Sequence, residues 1–330
     1  MDTAAPLRIG ILGAARIAPM AVVRPARQAP EAEVVAVAAR DEARARKFAS
    51  KQRIPRVHRD YDALLADPEI DAVYNPLPNG LHCEWTLRAL EAGKHVLCEK
   101  PMAANAGEAE RMAEASEKAG RVLVEAFHWR YHPLASRMKQ IVDGGELGEV
   151  RHVEASLCFP MLIPGDIRFR YDLAGGATMD TGCYTISLVR HLAGAEPEVV
   201  SAEARLSSPE VDRWMRADLR FPDGRSGRIT CSLFSSTLLK IDARVRGDAG
   251  EMRVFNPVAP HLYHRLSLRK PAGVARERVA GDATYTHQLR AFVEAVRGGA
   301  PMVTDARDAV ANMRVIDAVY EKAGLKRRGT

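Results

Sequence analysis

The chain has 330 residues, long for one core and natural for two domains. Hydrophobic residues make up 47% and charged residues 27%, an ordinary globular balance, and no apolar run is long enough to span a membrane. The net charge of +6 suits an anionic partner, but Arg is interspersed with Asp and Glu along helices; a nucleic-acid partner would want a basic stripe or a known motif.

The chain begins without a basic leader, and Leu7 to Leu12 reads as a first β-strand rather than a signal peptide. Gly13-Ala14-Ala15-Arg16-Ile17-Ala18 follows. A strand that turns into a helix at a Gly-rich corner is the phosphate-binding start of a dinucleotide fold. Gly13 fills the first place of the G-x-G-x-x-G/A fingerprint and Ala18 the third, while Ala15 replaces the second glycine. Alone the motif is weak; the strand–helix alternation behind it raises it.

Val34 to Ala39 is the second strand, and Asp41 to Gln52 a helix. The end of this strand reads the cofactor ribose: a carboxylate there suits NAD(H), an Arg suits the 2′-phosphate of NADP(H). The chain has Ala38-Ala39-Arg40, so Arg40 favours NADP(H), because guanidinium pairs with phosphate through parallel hydrogen bonds. Asp41 keeps NAD(H) open if it, rather than Arg40, faces the ribose.

A short strand at Val57-His58 and a helix from Tyr61 to Leu65 lead to Asp71–Pro101. This stretch reads as a strand to Tyr74, a turn through Pro76 and Pro78, a helix ended by Gly93, a strand from His95 to Cys98, and then Glu99-Lys100-Pro101. In open α/β sheets, ligands bind beyond the carboxyl ends of strands, so Lys100 is either a surface ion-pair partner or a working amine. A helix from Asn105 and a sixth strand, Arg121 to Phe127, complete a unit expected to cover residues 1–130.

From 131 to 330 the texture changes. A helix from Leu134 to Asp143 precedes alternating stretches at 150–159, 199–206, 216–221, 228–234, 239–245, 251–255 and 262–268, a mainly antiparallel pattern. Gly175-Gly176 opens an apolar helix to Leu192. Asp180 and Tyr184, four apart, share one face of it, either as a helix cap with a core phenol or as a working pair. Tyr285 to Arg297 and Asp305 to Lys322 are the last helices, with Gly298 expected to cap the first. The five Cys form no C-x-x-C pair and read as reduced core thiols of a cytoplasmic protein, with no metal site expected.

The GILGAARIA start, Asn79 to His82 (NGLH), AGKHVLCEKP and GGATMDTGCY resemble the glucose–fructose oxidoreductase, inositol dehydrogenase and rhizopine-catabolism (Gfo/Idh/MocA) family over nearly the whole chain. EAFHWRYHP and the Tyr of DTGCY look most like the branch of dimeric dihydrodiol dehydrogenase, NADP-dependent xylose dehydrogenase and glucose–fructose oxidoreductase, although His128-Trp129 replaces that branch's usual Met-Tyr or similar pair. The resemblance implies an α/β Rossmann domain and an α+β domain with a large open sheet, whose outer face joins copies into a dimer or tetramer. It implies an oxidoreductase interconverting hydroxyl and carbonyl on a sugar, polyol or dihydrodiol. Lys100, Asp180 and Tyr184 would surround the reacting carbon. Gly13, Ala14, Ala15, Arg16, Ile17, Arg40, Pro78, Asn79, His82, Glu99 and Lys100 would face the cofactor, and Arg168 and Trp129 the substrate. A non-catalytic NADP-sensing regulator and a redox-neutral glycosidase that retains its cofactor are the rival readings.

Overall fold

The computed structural model describes residues 5–161, 163 and 165–330. It forms two compact units. The first takes the chain up to Ala103, Gly107–His128 and Ala283–Val310; the second takes Ala104–Ala106, Trp129–Asp282 and Ala311–Thr330. A single cut at residue 130 therefore misses a return of the chain to the first unit.

The first unit holds one parallel sheet: β1 (Leu7–Leu12), β2 (Ala32–Ala38), β3 (Arg56–His58), β4 (Ala72–Asn75), β5 (His95–Cys98) and β6 (Leu123–Glu125). Their order is β3-β2-β1-β4-β5-β6. The order reverses between β1 and β4, so the crevice beyond their carboxyl ends is where a doubly wound sheet takes its ligand. The strands are near-continuous apolar runs because both faces are covered. Helices α1 (Arg24–Gln28), α2 (Glu42–Gln52), α3 (Tyr61–Leu65), α4 (His82–Glu91) and α5 (Ala106–Ala119) make the crossovers. The helix Thr284–Gly298 buries Tyr285, Leu289, Phe292 and Val293 in the same core as Val22, Val23 and Val37. Its i, i+4, i+7, i+8 stripe shows that it packs, but not on what. Helix Thr284–Gly298 includes Gly298; the left-handed cap is Gly299, at φ 67°, whose N–H donates to the Ala295 carbonyl.

The second unit carries α6 (Pro133–Asp143), α7 (Cys183–Ala193) and eight strands: β7 (Val150–Cys158), β8 (Glu198–Ser208), β9 (Val211–Arg220), β10 (Ser226–Ser232), β11 (Lys240–Gly247), β12 (Glu251–Phe255), β13 (Arg265–Lys270) and β14 (Gly273–Glu277). They run in the order β14-β13-β12-β11-β7-β10-β9-β8. Every pair is antiparallel except β7 with β10. Period-2 alternation puts Val153, Ala155, Leu157, Ile229 and Cys231 on the face that α7 covers. The other face is laced with charge: Arg228 meets Asp218 at 2.6 Å, Arg216 meets Glu203 at 2.8 Å and Arg244 meets Glu154 at 3.2 Å. Hydrogen bonding from His152 and the Arg244 and Arg246 charges hold the Glu154 carboxyl down at about 2. All five cysteines are free and buried. Among the described residues no helix is long and apolar enough to cross a membrane.

Candidate active site

Two groups of side chains, one in each unit, carry chemistry. In the first unit they lie beyond the strand ends on both sides of the order reversal. β1 ends at Gly13, whose φ of +93° favours glycine. A Cβ at Gly13 would sit 3.1 Å from Leu77 Cδ2. Its N–H donates to the Ala38 carbonyl at 2.6 Å. Ala14, Ala15 and Ile17 are half-buried, Arg16 is exposed, and Ala18 is fully buried as the third fingerprint place requires. The first helical turn, Pro19–Val23, is a π-helix. Such single turns recur at functional sites.

Arg40 stands exposed just past β2. Asp41 is diverted: its carboxylate caps α2 by accepting from the Arg44 N–H at 3.1 Å. Its Oδ1 is thereby committed to the helix start. Arg44, four residues after Arg40, donates from its guanidinium to the Ala14 carbonyl at 3.0 Å. The Tyr61 phenol lies beside them: burial raises its pKa, opposed by the Arg40 charge, a hydrogen bond to the Arg40 backbone and the Arg44 charge. Arg44 and Tyr61 were not singled out from sequence, although the i, i+4 spacing of the two arginines was a usable signal. These residues fit a phosphorylated dinucleotide: a turn with room for glycine only, and two guanidiniums just past the end of β2.

Beyond β4 and β5, Pro78 and Asn79 are half-buried. His82, expected to face the cofactor, is fully buried with both ring nitrogens against carbonyls. Nδ1 is 2.9 Å from the Pro101 oxygen and Nε2 2.7 Å from the Leu77 oxygen. Burial lowers its pKa to about 4, so at neutral pH one nitrogen donates and the tautomer decides which carbonyl receives it. His82 thus ties the turn after β4 to the turn after β5. Glu99 is 9% exposed and is also held from behind. Its Oε1 accepts from the Tyr74 hydroxyl at 2.6 Å and its Oε2 from the Lys100 N–H at 3.3 Å. The Lys100 side chain remains half-exposed.

In the second unit, the π-helical turn Thr178–Gly182 runs straight into α7. It carries Asp180 and leads to Tyr184, which is 8% exposed. Asp180 does not cap the helix as a free N-terminal acid: its Oδ2 lies 3.0 Å from Arg168 Nε. Arg168 is not a solvated loop residue, since Asp166 holds its Nη1 at 3.0 Å. Burial alone would lower the Arg168 pKa, but the two carboxylates outweigh it and hold it above its ordinary value. The Trp129 indole is fully buried, edge-on to His191 at 5.4 Å, which gives it a packing place. Among the described residues no cluster of three His, Cys, Asp or Glu could hold a metal.

A family profile described as an oxidoreductase family with an NAD-binding Rossmann fold matches residues 7–127, and the GFO/IDH/MocA C-terminal domain matches residues 135–253. The chain belongs to the GFO/IDH/MocA oxidoreductase family. Within it, the chain is 38% identical to D-xylose 1-dehydrogenase (NADP(+)) 2 of Haloferax volcanii, over 96% of this chain and 97% of that one. It is 35% identical to trans-1,2-dihydrobenzene-1,2-diol dehydrogenase of Mus musculus, over 77% and 76%. The crystal structure of a 3-ketoreductase from Actinomadura kijaniata, in complex with NADP and TDP-benzene, superposes with a TM-score of 0.89 at 31% identity, over 96% of this chain and 98% of that one. As a member of this GFO/IDH/MocA branch, the chain is a nicotinamide-dependent oxidoreductase, with the Rossmann sheet and large, mostly antiparallel sheet expected from sequence.

Proposed function

We propose that this enzyme is an NADP(H)-dependent dehydrogenase or reductase that interconverts a hydroxyl and a carbonyl on a sugar or a related polyhydroxylated small molecule. The observation that carries the cofactor choice is the exposed Arg40 just past β2, with Arg44 held on the Ala14 carbonyl and Asp41 spent on the α2 cap. Relatives that are NADP-dependent sugar dehydrogenases and sugar ketoreductases support the substrate class. They favour neither a non-catalytic regulator nor a redox-neutral glycosidase.

When bound, the nicotinamide supplies hydride chemistry. The chain must orient the substrate and move one proton. In oxidation, Tyr184 Oη takes the hydroxyl proton; in reduction it gives that proton to the carbonyl oxygen. An ordinary tyrosine ionises near pH ~10 and an ordinary lysine near ~10.4, too high for work at neutral pH. We assign Lys100 to polarise the substrate oxygen, since an ammonium favours negative charge developing on it. Asp180, fixed by Arg168, accepts from a second substrate hydroxyl. Glu99 and His82 fix the backbone around Lys100. The charged outer face of the eight-stranded sheet, where Trp214 lies under Arg205 at 4.8 Å, is our choice for a homo-oligomer contact, dimeric or tetrameric, in a cytoplasmic enzyme.

A panel of aldoses, ketoses, polyols and a dihydrodiol, assayed by absorbance with NADP+ and NADPH and with NAD(H) in parallel, tests the reading. At least one sugar should turn over, with NADP+ preferred. A panel in which NAD+ serves better, or in which nothing turns over, would overturn it.

A further inference from the structure

The second unit contains a buried ion pair that the proposed mechanism does not use. Arg328 and Asp212 are both 0% exposed and meet at 3.0 Å. Burying two charges costs several kcal/mol per ion, on the order of what the pair regains, and such pairs can often be replaced by apolar residues without loss of stability. Stability alone is therefore a poor account of this one. What surrounds it gives a better account.

Asp212 accepts from the Thr178 N–H and hydroxyl, both at 2.7 Å, and from the Tyr320 hydroxyl at 3.0 Å. Arg328 Nε donates to the Gly175 carbonyl at 2.7 Å, and its Nη1 to the Lys326 carbonyl at 3.0 Å. The guanidinium carbon lies 4.0 Å from the centre of the Tyr320 ring and 5.2 Å from that of Tyr171. Every one of these contacts acts on the glycine pair or on the first residue of the π-turn, or braces the groups that do.

The cluster also explains the two glycines. Gly176 adopts φ +138°, and a Cβ there would fall 2.2 Å from Asp212 Oδ1 and 2.8 Å from the Tyr320 hydroxyl. A Cβ on Gly175 would fall 2.6 Å from the Arg168 carbonyl oxygen. The backbone is therefore pressed between the buried pair on one side and the Arg168 loop on the other. The Gly176 N–H donates to that same Arg168 carbonyl at 2.8 Å, and the Asp180 N–H donates to the Gly176 carbonyl at 3.0 Å.

We propose that Arg328 is a positioning residue for proton transfer, acting through Asp212 and the Gly175–Thr178 backbone to set both the Arg168–Asp180 pair and the helix start that aims Tyr184. The proposal rests on Tyr184 being the acid/base group. The effect of Arg328 is on the angle at which that segment leaves the glycine pair.

The test compares Arg328→Met, Arg328→Lys and Tyr184→Phe in the full chain, by thermal melting and by steady-state kinetics in both substrates. Arg328→Met should lower kcat by about tenfold or more, within the range that small misplacements cost, while KM for NADPH stays within about twofold. Arg328→Lys, which keeps the charge against Asp212, should recover part of kcat. A lowered melting temperature with kcat per folded enzyme intact would overturn the proposal, because that is what a purely structural pair predicts. Should Arg328→Met fail to fold, Tyr320→Phe removes one donor to Asp212 and is read the same way: lowered kcat supports the clamp and unchanged kcat overturns it. If Tyr184→Phe loses turnover but Arg328→Met does not, only the positioning role falls. If Tyr184→Phe keeps full turnover, the acid/base reading falls and the clamp's role with it.

Discussion

Lys100→Met and Tyr184→Phe each lower kcat by about 10² or more, the usual worth of general acid–base catalysis, and leave NADPH binding within about twofold of the parent. Both substitutions keep shape and remove chemistry. Lys100 follows β5, and the carboxylate beside it is anchored by Tyr74, so a Met there keeps the stem and loses only the ammonium. Tyr184 is 8% exposed on a helix packed against the sheet, and Phe fills the same volume. Residues that act as a unit are far from additive. The double variant should therefore lose about as much as the worse single one. A multiplied loss would mean that the two side chains do separate jobs. Steady-state kinetics on the three variants, with NADPH affinity measured separately by titration, decide the matter.

Arg40→Ala with Arg44→Ala weakens NADPH by a factor of about 10 to 150 for each guanidinium that reaches the 2′-phosphate, because a hydrogen bond to a charged group is worth ~1.5–3 kcal/mol, and weakens NADH far less. Both guanidiniums are exposed, so the effect is screened by salt and should shrink as ionic strength rises. Fluorescence titration of NADPH and NADH at two salt concentrations measures this directly. Equal losses for both cofactors would make the arginines structural.

Much of the fold was legible because it is local. β5 begins and ends where the apolar run His95–Cys98 does, and the crossovers follow from helix periodicity and glycine stops. The candidate site was legible as residue types placed beyond strand ends: Gly13, Arg40 and Lys100. What stayed hidden depends on partners distant in sequence. The stripe on Thr284–Gly298 announces burial without saying that the helix returns to the first core. Asp212 sits within an alternating strand and Arg328 among basic residues, 116 positions apart, so nothing local joins them. Asp41 was ambiguous between ribose and cap until its acceptor bond to the Arg44 N–H was seen. The resemblance put His82 near the cofactor; only the three-dimensional structure shows both its ring nitrogens against carbonyls. The two π-helical turns, Pro19–Val23 and Thr178–Gly182, have no periodicity that a short window could separate from an α-helix.

In the proposed reaction, hydride passes between a sugar carbon and NADP while Tyr184 handles the proton. The most direct measurement uses the best sugar substrate deuterated at the carbon that reacts, incubated with NADP+ and the wild-type enzyme, followed by mass analysis of the cofactor. One deuterium should appear on the nicotinamide for each substrate oxidised, and almost none in the same time with Tyr184→Phe. Product formed with no deuterium on the cofactor, or transfer at the wild-type rate by Tyr184→Phe, would contradict it.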